Sequence, residues 1–264
     1  MRTERVQIPA EGADIDAYLA VPDGPGPWPA FIVIHEIWGL VPHIEDVARR
    51  FAEAGFAALA PDLYSRGGLP VTPDEIGRAM VFMQTVPVEK RADPVAVGSH
   101  LAELPAGDRE VTGRALAWLQ TRDLSQNVTD LRATLDWLTS QSFVDPRRIS
   151  SLGFCMGGGL SARLAASGAD LAGAVIFYGE HPPVDQIPNI RCRVLGLYGG
   201  EDHRITDGVP DLARAMAAAG KQFDYHVYAG APHAFFNDTR AATYRPEAAR
   251  DAWARVLTFQ ADVG

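Results

Sequence analysis

Short apolar runs separated by helix-like patterns organise most of the chain. Residues 4–20 alternate between apolar and polar positions around Glu11 and Gly12, which predicts a β-hairpin. The run from Ala30 to Ile34 is continuously apolar, as is typical of a strand buried on both faces of a parallel sheet. Further strands are predicted at 56–60, 149–152, 174–178, 194–198 and 223–228.

Helix patterns lie between most of these strands. They are predicted at 43–54, after Thr72, at 128–138, 159–166 and 209–219, and from Pro246 onward. The alternation predicts an α/β fold, with a mostly parallel central sheet flanked by helices, in a single domain over residues 1–264. Residues 86–113 are rich in Pro, Gly and charge, and we expect an irregular, lid-like insertion there.

The hexapeptide Gly153-Phe154-Cys155-Met156-Gly157-Gly158 links the strand at 149–152 to a helix of small residues. Its form is that of the nucleophile elbow G-x-S-x-G, a strained strand-to-helix turn, with Cys155 in place of serine. Glycines beside the nucleophile provide the space that such a turn needs. A helix N-terminus also favours a thiolate at Cys155. The alternative is a buried structural cysteine in a Gly-rich turn, and the hexapeptide alone leaves both interpretations open.

Two more reactive side chains directly follow predicted strands. Asp202 comes after the strand at 194–198, and His233 comes after the strand at 223–228. Together with Cys155 they follow the order nucleophile, acid, base. His233 can take the thiol proton, and Asp202 can hold the imidazole in the required tautomer. A lone Asp or His in a loop is usually only solvated, but three such residues in this order favour a catalytic triad.

Charge and cysteine content exclude several classes of protein. The net charge of −9 disfavours a nucleic-acid binder, and no apolar run approaches the roughly 18 residues of a membrane span. Two cysteines make neither a disulfide framework nor a zinc motif, and we take Cys192 as structural. An H-E-x-x-H metal motif fails because Gly39 stands at its last position. We expect a cytoplasmic protein with no metal, organic cofactor, nucleic-acid or membrane partner.

The sequence resembles the dienelactone hydrolase family of α/β-hydrolases over roughly residues 29–259. The segments that carry the resemblance are Glu36-Ile37-Trp38-Gly39, Pro61-Asp62-Leu63-Tyr64, the hexapeptide, Gly200-Glu201-Asp202-His203 and Gly230-Ala231-Pro232-His233-Ala234-Phe235. The resemblance implies an α/β-hydrolase fold in which Cys155, Asp202 and His233 form the triad. It also implies that Glu36 lies near the thiol and modulates its ionisation. The backbone N–H groups of Ile37 and Met156 would form the oxyanion hole.

Two departures from the family pattern concern the substrate. Members that degrade aromatic rings hold a substrate carboxylate with an Arg soon after the triad His, where this chain has Asn237. A second Arg follows the Asp-Leu-Tyr segment in such members, and Arg78 is the nearest candidate here. Because an amide contributes a weaker contact than a guanidinium, we expect neutral lactones and esters to be preferred over anionic ones.

Three aromatic residues lie at strand ends, where they line either a substrate pocket or the core: Trp38, Tyr64 and Tyr178. The sequence thus favours a cysteine-dependent hydrolase of lactones or small esters, with a small molecule as its partner. Two alternatives remain open, a general carboxylesterase of the same fold and a catalytically silent binding protein. The natural substrate and the oligomeric state do not follow from the sequence.

Overall fold

The computed structural model describes residues 1–66, 71–87, 90, 93–121 and 124–263. The chain divides into two compact units, one formed by Met1–Arg66 with Ser125–Gly264 and the other by Gly67–Leu124. The larger unit contains the whole sheet that the structure describes. That all residues from 1 to 264 form one domain stays a prediction.

The strands form one sheet in the order β1-β2-β4-β3-β5-β6-β7-β8. Its strands are β1 (Arg2–Ile8), β2 (Ile15–Val21), β3 (Trp28–Ile34), β4 (Ala57–Pro61), β5 (Val144–Phe154), β6 (Gly173–Phe177), β7 (Arg193–Gly199) and β8 (Phe223–Tyr228). Strands β1 and β2 form the predicted antiparallel hairpin, and β2 is also antiparallel to β4. All other neighbours are parallel, so the predicted mostly parallel sheet is confirmed.

The helices follow the predicted alternation with the strands. The larger unit contains α1 (Pro42–Glu53), α6 (Met156–Ala166), α7 (His203–Thr206), α8 (Val209–Ala218) and α9 (Pro246–Asp262), together with α5 (Leu124–Thr139) from its second residue onward. The smaller unit contains α2 (Pro73–Thr85), α3 (Pro94–Ala102) and α4 (Ala106–Thr121). Within the described ranges, no helix has the length and apolar character needed to cross a membrane.

The core forms because the central strands are apolar on both faces. Residues 30–34 of β3 are fully buried, and aromatic rings of Phe31, Phe154 and Phe177 pack in the same hydrophobic cluster. The register pairs Ile34 with Gly153 and Phe154 with Phe177, so these parallel strands end at the same edge. Ligand sites of open α/β sheets lie at this carboxyl edge. The loops after β3, β5, β6, β7 and β8 therefore bring the candidate side chains to one place.

The smaller unit corrects one expectation. Residues 86–113 were expected to be irregular, but the described part contains α3 and the first half of α4. Asp93 caps α3 by accepting a hydrogen bond from the Val95 N–H at 2.9 Å, and Pro94 occupies the first turn. Pro at this position starts a helix, so the proline content marked a helix boundary and not a loop. A lid-like role for these residues stays a prediction.

Candidate active site

Cys155 lies at the predicted strand-to-helix turn. It links β5 to α6 with backbone angles φ 55° and ψ −115°, a conformation that is costly for a residue with a side chain. A Cβ on Gly153 would lie 2.0 Å from the Gly157 carbonyl oxygen, and one on Gly157 would lie 2.3 Å from the Ile34 carbonyl oxygen. Only glycine fits at these two positions, which confirms the elbow geometry that the hexapeptide predicted.

His233 bridges the side chains of Asp202 and Cys155. Its Nδ1 donates a hydrogen bond to Asp202 Oδ2 at 2.5 Å, and its side chain is also hydrogen-bonded to Cys155. Burial acts to lower the pKa of His233, but the bonds to Asp202 and Cys155 outweigh it and raise the pKa to about 10. The arrangement therefore favours a protonated imidazole between an acid and a sulfur.

The loops that carry Asp202 and His233 are joined by backbone contacts. The Glu201 N–H donates to the Ala231 carbonyl oxygen at 3.0 Å. A Cβ on Gly199 would lie 2.5 Å from the same oxygen, so the close approach of the two loops depends on this glycine. Because both loops follow neighbouring parallel strands, the sheet register itself sets the distance between acid and base.

Glu36 is a buried carboxyl at the end of β3, with 1% of its surface exposed. Burial raises its pKa, against a hydrogen bond from Asn237 and the positive charges of Arg240 and His233. Next to it, His35 Nδ1 donates to the Glu36 carbonyl oxygen at 2.6 Å, and Nε2 accepts from the Leu63 N–H at 3.2 Å. These two contacts fix the His35 tautomer and hold the backbone at Glu36.

Tyr178 directly follows β6 and is fully buried, with φ 39°. Its ring lies edge-on to His233 with 5.1 Å between the centroids. Burial raises its pKa well above 10, with further contributions from the charges of Glu36 and Cys155, so the hydroxyl is a neutral donor. Among the described residues this hydroxyl has no hydrogen-bond partner. The contact of Tyr178 with a substrate stays a prediction.

Tyr64 connects the two segments whose backbone N–H groups are predicted to form the oxyanion hole. Its hydroxyl donates to the Ile37 carbonyl oxygen at 3.1 Å and lies 3.4 Å from Met156 Sδ. The ring packs against Gly39, where a Cβ would approach it to 3.1 Å. Tyr64 thus links the two segments through its hydroxyl. Its contact with substrate and the oxyanion role of Ile37 and Met156 stay predictions.

Asn237 points into the interior and contacts Glu36, while its role as a substrate contact stays a prediction. The loop after His233 turns at Ala234, whose φ is 62°, and the Asn237 N–H donates back to the Ala234 carbonyl oxygen at 3.1 Å. This turn directs Asn237 inward, where it is buried and donates to Glu36 Oε2 at 2.7 Å. The argument for neutral substrates rested on this residue, so the preference itself stays only a prediction.

Arg78 lies in the smaller unit and pairs with carboxylates of that unit. Its guanidinium is 3.0 Å from Asp74 Oδ2 and 3.3 Å from Asp108 Oδ1. About half of its side chain is exposed, at 52%. Its role as a substrate-binding residue stays a prediction.

Arg240 is a cation near the site that the sequence analysis missed. Its guanidinium carbon lies 4.3 Å from the centroid of the Trp38 ring, a cation–π geometry. Its charge acts on Glu36 and on Tyr178, which places it within electrostatic range of both. No carboxylate of the described ranges forms an ion pair with it. Trp38 and Arg240 come from distant parts of the chain, so no local pattern could have paired them.

The buried carboxyl predicts a pH-dependent effect on stability. Glu36→Gln should raise the free energy of unfolding at pH 8, because the variant buries no charge while keeping an oxygen for Asn237. The raised folded pKa means that the unfolded state releases the proton first, so the wild type loses stability as pH rises above 4.5. Urea unfolding from pH 4 to pH 8 measures this. The curves should converge near pH 4, and a difference that is constant with pH would contradict the burial argument.

The sheet, the elbow and the reactive side chains at its carboxyl edge define a hydrolase of the α/β-hydrolase class. Residues 15–263 match the Dienelactone hydrolase family, and the chain therefore belongs to this family. A relative from Saccharolobus solfataricus, named "Putative carboxymethylenebutenolidase", is 40% identical over 251 residues. The match covers 95% of this chain and 95% of the relative.

Solved structures agree with this fold. A structure titled "Putative Dienelactone Hydrolase", from Klebsiella pneumoniae, superposes with a TM-score of 0.75 at 30% identity and covers 98% of each chain. Esterase 2 of Thermogutta terrifontis, in a structure phosphorylated by paraoxon, gives a TM-score of 0.65 at 17% identity. That likeness covers 99% of this chain and 94% of the esterase, and it concerns the fold alone. The predicted α/β-hydrolase fold is confirmed.

Proposed function

We propose that this hydrolase cleaves a lactone or a small carboxylic ester with Cys155 as its nucleophile. The observation that carries the proposal is the His233 side chain, which is hydrogen-bonded to both Asp202 and Cys155. A nucleophile, a base and an orienting acid in mutual contact are what acyl transfer requires. The name of the Saccharolobus relative, "Putative carboxymethylenebutenolidase", supports the same reaction class.

In the first half of the reaction, Cys155 sulfur attacks the carbonyl carbon of the ester. His233 holds the thiol proton, in line with its raised pKa. The N–H groups of Ile37 and Met156 donate hydrogen bonds to the carbonyl oxygen and stabilise the negative charge that develops there. The tetrahedral intermediate collapses by breaking the bond to the leaving oxygen. His233 gives its proton to that oxygen, leaving a thioester on Cys155 and a free hydroxyl on the product.

In the second half, water replaces the sulfur at the carbonyl carbon. His233 takes a proton from the water, and hydroxide forms a new bond to carbon while the C–S bond breaks. The sulfur leaves as a thiolate, which pairs with the proton held by His233, and the carboxylic acid is released. Asp202 keeps Nδ1 of the imidazole protonated throughout, so that Nε2 faces the reacting atoms. The chemistry requires a reduced thiol, the ordinary state in the cytoplasm, where we expect the protein to act.

A substrate panel with selective alkylation tests this proposal and its alternatives. An aryl ester, an enol lactone and a saturated lactone are offered to the enzyme before and after treatment with iodoacetamide. The proposal expects hydrolysis of the lactones and its loss on alkylation of Cys155. Turnover of open esters alone would favour a general carboxylesterase, and binding without turnover would favour the silent binding protein. Hydrolysis that survives complete alkylation of Cys155 would contradict a cysteine nucleophile.

Arg240 predicts how the site distinguishes substrates by charge. Arg240→Gln should lower kcat/KM for an ester bearing a carboxylate, relative to its neutral methyl ester, by about three- to tenfold. The reason is that the Arg240 guanidinium, which lies over the Trp38 ring, attracts an anion near the site. The effect should shrink as salt rises, because the cation is exposed. Rates for the matched pair of esters at low and high salt measure it.

Arg255→Gln is the matched control for this prediction. It removes the same charge from helix α9, where the Arg255 guanidinium pairs with Asp251 at 2.6 Å. The control should leave the ratio of the two kcat/KM values unchanged. An unchanged ratio in Arg240→Gln as well would mean that this cation does not act on the substrate.

A further inference from the structure

The contact between Glu36 and Asn237 joins two polar side chains in the interior of the site. Glu36 is 1% exposed and Asn237 is 3% exposed, and Asn237 Nδ2 lies 2.7 Å from Glu36 Oε2. Buried polar groups are costly unless they are hydrogen-bonded, so this single contact matters to both. It links the loop after His233 with the end of strand β3.

Thr239 fixes the orientation of the Asn237 amide. The Thr239 backbone N–H donates to Asn237 Oδ1 at 3.1 Å, and the Thr239 hydroxyl donates to the same oxygen at 2.6 Å. Because only a carbonyl oxygen accepts these bonds, the amide nitrogen must point at Glu36. The donor is therefore held in place before any substrate arrives.

The carboxyl held in this way belongs to a segment that packs against the nucleophile turn. The carbonyl oxygens of Ile34 and His35 would lie 2.3 and 2.5 Å from a Cβ on Gly157, which shows how closely β3 approaches the turn. Among the residues that the structure describes, His233, Arg240 and Tyr178 lie within electrostatic range of Glu36. His233 is hydrogen-bonded to Cys155 and its charge acts on Glu36, and the charges of Glu36 and Cys155 both act on Tyr178, so these two residues link the carboxyl to the thiol.

An amide differs from a cation as a partner for this carboxyl. Asn237 supplies one hydrogen bond and no net charge, so it places the carboxyl without neutralising it. The charge that the thiol experiences then depends on the protonation of Glu36 itself. A charge close to a thiol changes its ionisation, and a carboxylate disfavours the thiolate.

We propose that Asn237 is a positioning residue that sets the ionisation of Cys155 by holding the Glu36 carboxyl in place. This inference rests on the proposed function, since it concerns the nucleophile of that reaction. It assigns Asn237 to the enzyme's own machinery and not to substrate recognition. Losing the amide would leave Glu36 without its donor, so that it either binds a proton more readily or moves, and both changes weaken its charge near the thiol.

A double-mutant cycle tests this inference through the pH dependence of Cys155 alkylation. The rate of iodoacetamide modification, followed by intact mass, is measured from pH 5 to pH 10 for wild type, Asn237→Ala, Glu36→Gln and the double variant. Asn237→Ala and Glu36→Gln should each move the midpoint to lower pH by about half a unit or more. The double variant should move no further than Glu36→Gln alone, because both changes act through one carboxyl.

Two comparisons separate positioning from a general effect on folding. Asp238→Asn, a change on the same loop at a residue that pairs with Arg50, should leave the midpoint unchanged. Asn237→Ser, which cannot reach Glu36, should repeat the shift if the alanine variant is too unstable to measure. An unmoved midpoint in a folded Asn237 variant, or an equal shift in the Glu36→Gln background, would overturn the inference. Hydrolysis that does not need Cys155 would instead overturn the proposed function, so the two failures are distinguishable.

Discussion

Cys155→Ala should lower kcat for ester or lactone hydrolysis by roughly 10³-fold or more, because the covalent route disappears with the sulfur. The turn itself should survive, since its shape depends on Gly153 and Gly157 and not on the thiol. Far-ultraviolet circular dichroism and the unfolding midpoint of the variant should therefore remain close to those of the wild type. Steady-state rates on one activated aryl ester measure the loss.

Cys192→Ala provides the matched control for this experiment. Burial raises the pKa of Cys192 to about 11, so its thiol is protonated and shielded at neutral pH. This variant should hydrolyse the same ester at close to the wild-type rate and should remain sensitive to iodoacetamide. Wild-type turnover by Cys155→Ala would show that another group is the nucleophile.

Asp202→Asn should lower kcat by roughly 10²- to 10⁴-fold, the upper figure being the loss known for the equivalent change in a serine triad. The amide can donate to Nδ1, which favours the tautomer in which Nε2 carries the proton and cannot act as a base. Removing the carboxylate also removes a group that raises the pKa of His233, so the pKa should fall. The pH profile of kcat/KM measures both effects.

A second variant controls for the loss of one negative charge from the segment after β7. Asp207→Asn removes a carboxylate from the same stretch of chain, where Asp207 pairs with the exposed His203 at 3.2 Å. This variant should keep the wild-type profile. Rates near wild type in both Asp202→Asn and His233→Ala would mean that the bridge between acid, base and sulfur is not used in catalysis.

The strand-to-helix turn at Cys155 could be predicted from sequence because its constraints come from nearby backbone atoms. The flanking glycines are required by backbone atoms only a few residues away or on the adjacent strand, and an apolar run precedes them. The common location of Asp202 and His233 was predictable for a related reason. Each directly follows a strand of a parallel sheet, and such strands end at a common edge.

The contacts of Asn237 and Arg240 could not be predicted in this way. Each depends on which way a loop turns after His233, and this is set by a positive φ at Ala234 that no residue type there requires. Their partners, Glu36 and Trp38, lie about 200 residues earlier in the chain. The helices after Pro94 were missed for another reason, since proline was taken as a loop residue where it starts a helix.

The central claim, that acyl transfer passes through a thioester on Cys155, can be tested by trapping the intermediate. The enzyme is mixed with an activated aryl ester, quenched in acid within milliseconds to seconds, digested and analysed by mass spectrometry. The account predicts one acyl group per chain on the peptide that contains Cys155, released by hydroxylamine and absent from Cys155→Ala. An acyl group on any other residue of the wild type, or one retained in Cys155→Ala, would contradict it.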